Sequence, residues 1–244
     1  MKVYAMTDIG RVRQLNEDAY YQPLPGERFC AVADGMGGHN AGEVASAMAV
    51  SHFARYMREV ARITPEAMRA AVVQANDAIY RASQESPEVS GMGTTFSALA
   101  VEGRTAYVAH VGDSRVYLFR RGALLPVTRD HTLVEEMVMR GLITVREARV
   151  HPKRNIITRA LGTDERVEVD LFQIALAEGD VFFLCTDGLT NHVTTRQIQL
   201  TTAADIEWEE KLKKLVGVAL ENGGPDNITA MFAVYEGAGE EAEG

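Results

Sequence analysis

The sequence predicts an α+β fold in which helices pack outside antiparallel sheets. Short apolar runs mark the strands, and several of these runs are separated only by turns, which favours antiparallel pairing. Two long helical stretches follow each other directly, which is not the alternation of a simple βαβ protein. The chain has 244 residues, 46% of them hydrophobic, and is long enough to bury a sizeable core.

Hydrophobic periodicity places the individual elements. Strands are expected at 3–8, 28–33, 94–101, 105–111, 115–120, 167–174, 181–186 and 228–235. The segment around Arg120-Arg121-Gly122 predicts a hairpin. Apolar residues at helical spacing predict three helices. The first begins at Gly42, the second follows the N-cap and proline pair Thr64-Pro65, and the third begins near Trp208. Segment 131–165 mixes a short helix with basic and polar stretches and is expected to run over the surface.

Composition and charge argue against several classes of protein. No apolar run approaches the roughly 18–20 residues of a membrane span, and charged residues come too early for a signal peptide, so we expect a cytoplasmic protein. The net charge is −9 without a basic run, which disfavours nucleic acid as a partner. Residues 1–235 are expected to form one domain, followed by a small, acidic, disordered tail at 236–244.

The cysteines and histidines do not indicate a zinc site. Cys30 and Cys185 each lie in an apolar run and are expected to be buried thiols. No CxxC or HExxH pattern occurs, and the histidines are scattered along the chain.

Aspartates recur where apolar runs begin or end. Asp34-Gly35, Asp113 and Asp187-Gly188 each follow a run, and Asp226-Asn227 opens one. Each site alone is compatible with a hairpin turn. However, the residues after Asp34 and Asp187 do not resemble return strands. Because strands end at the rim of a sheet, several such carboxylates can meet in one cleft.

A cluster of carboxylates favours a divalent cation, because unpaired carboxylates repel each other. Oxygen ligands without a soft donor suit Mg²⁺ or Mn²⁺. Two such ions roughly 3.5–4 Å apart can activate a shared water, and phosphate esters are natural targets for the resulting hydroxide. Arg13, close to Glu17 and Asp18, could bind a phosphate with its planar fork. Its alternative role is a surface ion pair with Glu17 at i+4.

The ordered set of motifs resembles the metal-dependent serine/threonine phosphatases of the protein phosphatase 2C type (PPM), most closely their bacterial branch. The resemblance covers essentially residues 1–235. It is carried by Arg13-x-x-Asn16-Glu17-Asp18, Asp34-Gly35-Met36-Gly37-Gly38-His39, Gly93-Thr94-Thr95, Gly112-Asp113-Ser114-Arg115, Thr186-Asp187-Gly188-Leu189 and Gly224-Pro225-Asp226-Asn227.

The resemblance implies a four-layer α/β/β/α sandwich of two mostly antiparallel sheets flanked by helices. It implies that Asp34, Asp187 and Asp226 hold two central Mn²⁺ or Mg²⁺ ions. It further implies that the Gly35 carbonyl is another ligand, that Asp18 and Glu17 act near the metals partly through water, and that Asp113 joins Asp187 at a possible third ion. Arg13 would bind the substrate phosphate, and Thr94 and Thr95 would be supporting or packing residues. Segment 131–165 would form a flap beside the site.

Two positions depart from the family pattern. Animal relatives have a histidine directly after the Asp-Gly pair, proposed as the general acid, and this chain has Met36 there. His39 lies nearby in sequence. An acidic residue often follows the Asp187 motif, and here Asn191 takes that place, which puts outer support of the metals in question.

The implied activity is hydrolysis of phosphoserine and phosphothreonine in proteins by a metal-bridging hydroxide, without a phosphoenzyme. The implied partners are phosphorylated proteins, including Ser/Thr kinases and their substrates, and a monomer is expected. Two alternatives remain open. One is another metal-dependent phosphoesterase acting on small molecules or nucleic acid. The other is an inactive relative that binds phosphoproteins, although this chain retains all the expected aspartates.

Overall fold

A computed structural model describes residues 1–37 and 41–237. The strands are β1 Lys2–Asp8, β2 Asp18–Tyr21, β3 Phe29–Met36, β4 Gly93–Thr94, β5 Phe96–Glu102, β6 Thr105–Val111, β7 Arg115–Arg120, β8 Ala123–Pro126, β9 Asp170–Ala175, β10 Val181–Cys185 and β11 Ile228–Val234. The α-helices are α1 Gly42–Glu59, α2 Pro65–Glu85, α3 Leu133–Met139, α4 Val145–Val150, α5 Asp187–Thr190, α6 Thr195–Ala203 and α7 Trp208–Glu221.

The strands form two sheets, and every recorded pairing between strands is antiparallel. The first sheet has the order β1-β11-β10-β7-β8. The second has the order β2-β3-β5-β6-β9, with the short β4 also paired to β3. The predicted α+β class with antiparallel sheets is therefore confirmed.

Alternation along β3 shows how the layers are built. Cys30 and Val32 point into the apolar layer between the sheets, which also contains Leu184 and Met231. Ala31 and Ala33 point to the opposite face, where α1 and α2 cover the second sheet. Residues of α5, α6 and α7 cover the outer face of the first sheet. Since strand side chains alternate with period two and both faces are apolar, four layers result.

Several elements differ from the sequence-based prediction. The strand expected at 94–101 is divided into β4 and β5, and the strand expected at 167–174 begins only at Asp170. Strand β2 was not predicted, because its four residues begin with an aspartate and carry little periodicity. Helix α6 was missed although a capping box formed by Thr194 and Gln197 marks its start. Segment 131–165 contains two short helices, α3 and α4, rather than one.

The hairpin and the two cysteines agree with the sequence-based prediction. The predicted hairpin joins β7 to β8, with Arg121 at φ 52° and Gly122 at φ 78°, as a two-residue turn of the favoured hand requires. Cys30 and Cys185 are buried free thiols. No helix within the described ranges combines the length and apolarity needed to cross a membrane. Residues 238–244 of the predicted tail lie outside the described ranges.

Candidate active site

The four aspartates at the ends of apolar runs do not lie in hairpin turns. Asp34 lies inside β3 and pairs with Asp18 of β2. Asp187 is the first residue of α5, and Asp226 precedes β11. Asp113 lies where the chain crosses from β6 in the second sheet to β7 in the first. The hairpin alternative is therefore wrong for these positions.

These carboxylates meet where both sheets end. Two hydroxyls bind the same oxygen of Asp18: Thr186 Oγ1 donates to Oδ2 at 2.8 Å and Thr229 Oγ1 at 2.7 Å. Thr186 precedes Asp187, and Thr229 lies at the start of β11 in the first sheet. The site therefore bridges the two sheets.

Burial and mutual repulsion dominate the electrostatics of the cluster. Burial raises the pKa of Asp18 to about 7, with added repulsion from Asp187 and Asp226. Burial, followed by repulsion from neighbouring aspartates, raises the pKa of Asp34 well above its usual range. The pKa of Asp187 is raised by burial and then by repulsion from Asp226, although Asn191 donates a hydrogen bond to its carboxylate. These shifts arise from burial first and from repulsion among the carboxylates second.

Asp113 has the same character as these three aspartates. Burial raises its pKa to about 7, and Asp187 and Asp130 add repulsion. Its Oδ1 atom is buried without a hydrogen-bond partner, as is Oδ1 of Asp18. A buried carboxylate oxygen without a partner is costly, and a cation removes that cost.

Glycines let the backbone segments of the site approach closely. A Cβ atom on Gly35 would lie 2.1 Å from the Gly42 carbonyl oxygen and 2.5 Å from that of Glu17. A Cβ atom on Gly188 would lie 1.9 Å from the Asn227 carbonyl oxygen. Gly35 and Gly188 therefore permit contacts that a side chain would prevent, which explains the Asp-Gly pattern without a turn.

Arg13 lies at the rim and faces the acidic cluster. Its Nε atom is 2.9 Å from Asp226 Oδ1, and its Nη2 donates to Asp226 Oδ2 at 3.0 Å. Its Nη1 is 3.4 Å from Glu17 Oε2, so the predicted i+4 ion pair is the weaker contact. The Arg13 side chain remains 45% exposed, which leaves the guanidinium within reach of a ligand from solvent.

Asn227 fixes the segment that carries Arg13. Its Oδ1 accepts from the Glu17 amide at 2.8 Å, and its Nδ2 donates to the carbonyls of Ile9 and Leu15 at 2.9 and 3.0 Å. Asn227 was predicted only as part of a motif, and no role was predicted for Thr229. An amide next to an aspartate at the start of a strand was the available signal for Asn227, whereas Thr229 has no distinguishing pattern.

Thr94, Thr95 and Asn191 contact the aspartates of the cluster. Thr95 Oγ1 accepts from the Asp34 amide at 2.9 Å, and Thr94 Oγ1 donates to the Asp34 carbonyl at 2.9 Å. Asn191 Nδ2 donates to Asp187 Oδ2 at 3.0 Å, so the amide still supports that carboxylate. Met36 is the last residue of β3. His39 lies outside the described residues.

The donor set fits hard divalent cations, since its ligating atoms are carboxylate oxygens with two buried oxygens lacking partners. In this conformation, no three His, Cys, Asp or Glu side chains within residues 1–37 and 41–237 form a complete metal-binding group. Asp226 faces Arg13, and one oxygen of Asp18 is held by two threonines.

An acidic cleft between two sheets, with an arginine at its rim, defines the class of site expected for metal-assisted phosphoester chemistry. The family model described as protein phosphatase 2C matches residues 10–232. The chain is 40% identical to the serine/threonine protein phosphatase PstP of Mycobacterium tuberculosis over 96% of its own length. It is 37% identical to the serine/threonine phosphatase stp of Listeria monocytogenes, over 93% of this chain and 92% of that protein.

The chain spans 45% of the length of the Mycobacterium tuberculosis relative. Among solved structures, the catalytic domain of PstP in complex with two manganese ions superposes with a TM-score of 0.86 at 37% identity. That match covers 96% of this chain and 97% of the PstP chain. The chain belongs to the protein phosphatase 2C family.

Proposed function

We propose that residues 1–235 form the catalytic domain of a metal-dependent phosphatase that hydrolyses phosphoserine and phosphothreonine in proteins. The observation that carries the proposal is the cluster of buried aspartates with raised pKa values beside the exposed fork of Arg13. Family membership and the two manganese ions of the PstP structure support the same reading.

Asp34, Asp187 and Asp226 would hold two central Mn²⁺ or Mg²⁺ ions, together with the Gly35 carbonyl. Asp18 would support them, partly through water, and Asp113 would join Asp187 at a third ion. Bound divalent cations supply Lewis acidity and an activated water. These assignments rest on the convergence of the carboxylates and on the two unpartnered oxygens of Asp18 and Asp113.

The protein's own groups would orient the substrate. The Arg13 fork would leave Asp226 and bind two oxygens of the phosphate, since a guanidinium matches phosphate geometry. Glu17, whose pKa is raised by burial, borders the same space. Both cysteines are buried, with thiol pKa values raised to about 12 by burial, so neither is placed to form a covalent phosphoenzyme.

Phosphorylated proteins, including Ser/Thr kinases and their substrates, are the partners that this activity implies. We extend the proposal to a monomer acting in the cytoplasm. Size-exclusion chromatography with light scattering tests the oligomeric state.

The direct test is an assay of a phosphothreonine peptide with and without Mn²⁺, with nucleotides as competing substrates. We expect Mn²⁺-dependent turnover of the peptide well above that of nucleotides. Asp34→Asn and Asp226→Asn remove a ligand charge and should each abolish most of the activity. Metal-independent turnover, or full activity in both variants, would refute the proposal. Preference for a nucleotide would favour a phosphoesterase that acts on small molecules. Metal binding without turnover would favour an inactive relative that binds phosphoproteins.

A further inference from the structure

The base of the flap is joined to the Asp113 turn through both the backbone and the side chain of His131. The flap is defined as 131–165, and its base as the contact in which the Thr158 amide donates to the His131 carbonyl at 2.8 Å. The His131 amide donates to the Gly112 carbonyl at 2.7 Å, and the Gly112 amide donates back to His131 Nδ1 at 3.0 Å. This reciprocal pair fixes the peptide immediately before Asp113.

The hydrogen bonds also define the tautomer of His131. Because Nδ1 accepts a hydrogen bond, the proton of the neutral ring is on Nε2. Nε2 then donates to Asp170 Oδ2 at 3.2 Å. Arg159 approaches the same nitrogen, but its Nη1 has an acceptor in Asp170 Oδ1 at 2.8 Å. His131 therefore uses one nitrogen for the Asp113 turn and the other for β9.

The turn has little freedom to compensate for a lost contact. Gly112 has φ 107°, and a Cβ atom there would lie 2.6 Å from Thr95 Cβ. Thr95 Oγ1 is 2.7 Å from Ser114 Oγ and also accepts from the Asp34 amide. The position of Gly112 is thus coupled through packed neighbours to the backbone of Asp34.

The surrounding contacts hold the flap base independently of the His131 ring. Arg115 binds the Asp130 carboxylate with two nitrogens: Nη2 donates to Oδ2 at 2.6 Å, and Nε donates to Oδ1 at 2.8 Å. His110 Nε2 lies 3.0 Å from the Arg129 carbonyl. Removing the imidazole should therefore leave the segment in place and take away the acceptor for Gly112 and the donor to Asp170.

We propose that His131 is a positioning residue that holds Gly112. It thereby keeps the Asp113 carboxylate facing Asp187 for a third cation, and it keeps the base of the flap in a fixed position relative to the metal cluster. This inference rests on the proposed function and deepens it. The ring contacts Gly112 rather than a ligand, and it acts through the turn, as outer partners of metal ligands generally do.

Two amide substitutions test the proposal, because they differ only in reach. The Asn side chain of His131→Asn places its oxygen near the position of Nδ1 and can accept from Gly112. The longer side chain of His131→Gln places its amide near Nε2 and leaves the Gly112 amide without an acceptor. His131→Leu removes both functions. Thermal unfolding in EDTA identifies which variants are folded. If His131→Leu does not fold, the comparison of His131→Asn with His131→Gln is sufficient to test the proposal.

The readout is a Mn²⁺ binding isotherm by calorimetry, paired with phosphothreonine-peptide turnover as a function of Mn²⁺. We expect the weakest Mn²⁺ step to be weakened roughly 10- to 100-fold in His131→Gln and His131→Leu and to stay near wild type in His131→Asn. Excess Mn²⁺ should restore turnover in the Gln variant, which a general folding defect would not allow.

Equal Mn²⁺ affinities in the Asn and Gln variants, whether both unchanged or both weakened, would overturn the role of His131. If the wild type meanwhile binds Mn²⁺ and hydrolyses the peptide, the proposed function stands without this inference. A wild-type protein that binds no Mn²⁺ would overturn both.

Discussion

At the scale of single residues, the two oxygens of the Asp18 carboxylate have different surroundings. Its Oδ2 atom receives hydroxyl hydrogen bonds from Thr186 and Thr229, while its Oδ1 atom is buried without a partner. Thr229 Oγ1 is in turn 2.8 Å from Thr7 Oγ1. One side of the carboxylate is thus held by the protein, and under the proposed function the other side would support the cations.

Substituting Thr229 by valine tests this arrangement with little change in shape. Thr229→Val removes one donor to Asp18, which should lower the free energy of unfolding by about 1 kcal/mol and weaken Mn²⁺ binding. Urea denaturation and calorimetry measure the two effects. Thr229→Ser keeps the hydroxyl and serves as the control. Equal Mn²⁺ affinity in the valine and serine variants would contradict the role of the hydroxyl.

Arg13 should separate substrate binding from metal binding. Arg13→Ala removes the fork, and loss of charge-assisted hydrogen bonds worth about 1.5–3 kcal/mol predicts a Michaelis constant raised roughly 10- to 100-fold. Mn²⁺ affinity should stay the same or increase, because the Asp226 carboxylate is no longer paired with the Arg13 guanidinium in this variant. Arg13→Lys retains the charge without the fork and should recover only part of the affinity. An unchanged Michaelis constant in Arg13→Ala would count against the assignment.

At the scale of elements, the site depends on how closely α5 approaches β11. Gly188, the second residue of α5, lies against the Asn227 carbonyl just before β11, where there is no space for a Cβ atom. This contact sets the position of Asp187 relative to Asp226. Neither helix propensity nor strand pattern reveals it, because the two segments are distant in sequence.

A pair of glycine substitutions separates this contact from helix propensity. Gly188→Ala should move α5 away from β11, lowering both the melting temperature and Mn²⁺ affinity, since a Cβ atom would lie 1.9 Å from the carbonyl oxygen. Gly217→Ala in α7 meets nothing within 4 Å and should stabilise the protein by about 0.5–1 kcal/mol. Thermal unfolding and Mn²⁺ titration of both variants provide the comparison. Wild-type Mn²⁺ affinity in Gly188→Ala would exclude the proposed packing constraint.

At the scale of the whole molecule, the acidic site joins the two sheets. Asp18 and Asp34 belong to the second sheet, while Asp187 and Asp226 lie beside strands of the first. Bound cations would therefore connect the sheets as well as complete the site. Ligands that bind only the folded state stabilise it by mass action.

The pH dependence of stability follows from the raised pKa values. In the folded, metal-free protein, Asp18 and Asp113 have pKa values of about 7, against an ordinary value of 3.8. Between these values the folded state binds more protons than the unfolded state, so stability should fall as pH rises from about 4 to about 7.

Mn²⁺ should reverse this trend, because it binds the deprotonated carboxylates. Melting temperatures in EDTA and in Mn²⁺, measured across this pH range, test the prediction. The increase caused by Mn²⁺ should be greater at pH 7 than at pH 5. A metal-free melting temperature that rises steadily from pH 4 to pH 7 would show that other groups dominate. Asp18→Asn should flatten the metal-free profile.

The sequence by itself determined the fold class, the principal helices, the Arg121-Gly122 hairpin and the identity of the aspartates, because periodicity and motif order are local properties of the chain. It did not determine which alternative applied at each Asp-Gly pair, since a turn and a strand end have the same local composition. Only the tertiary structure decided this, by placing residues from both sheets within hydrogen-bonding distance. Thr229 and His131 became visible only there, because their partners Asp18 and Gly112 are distant along the chain.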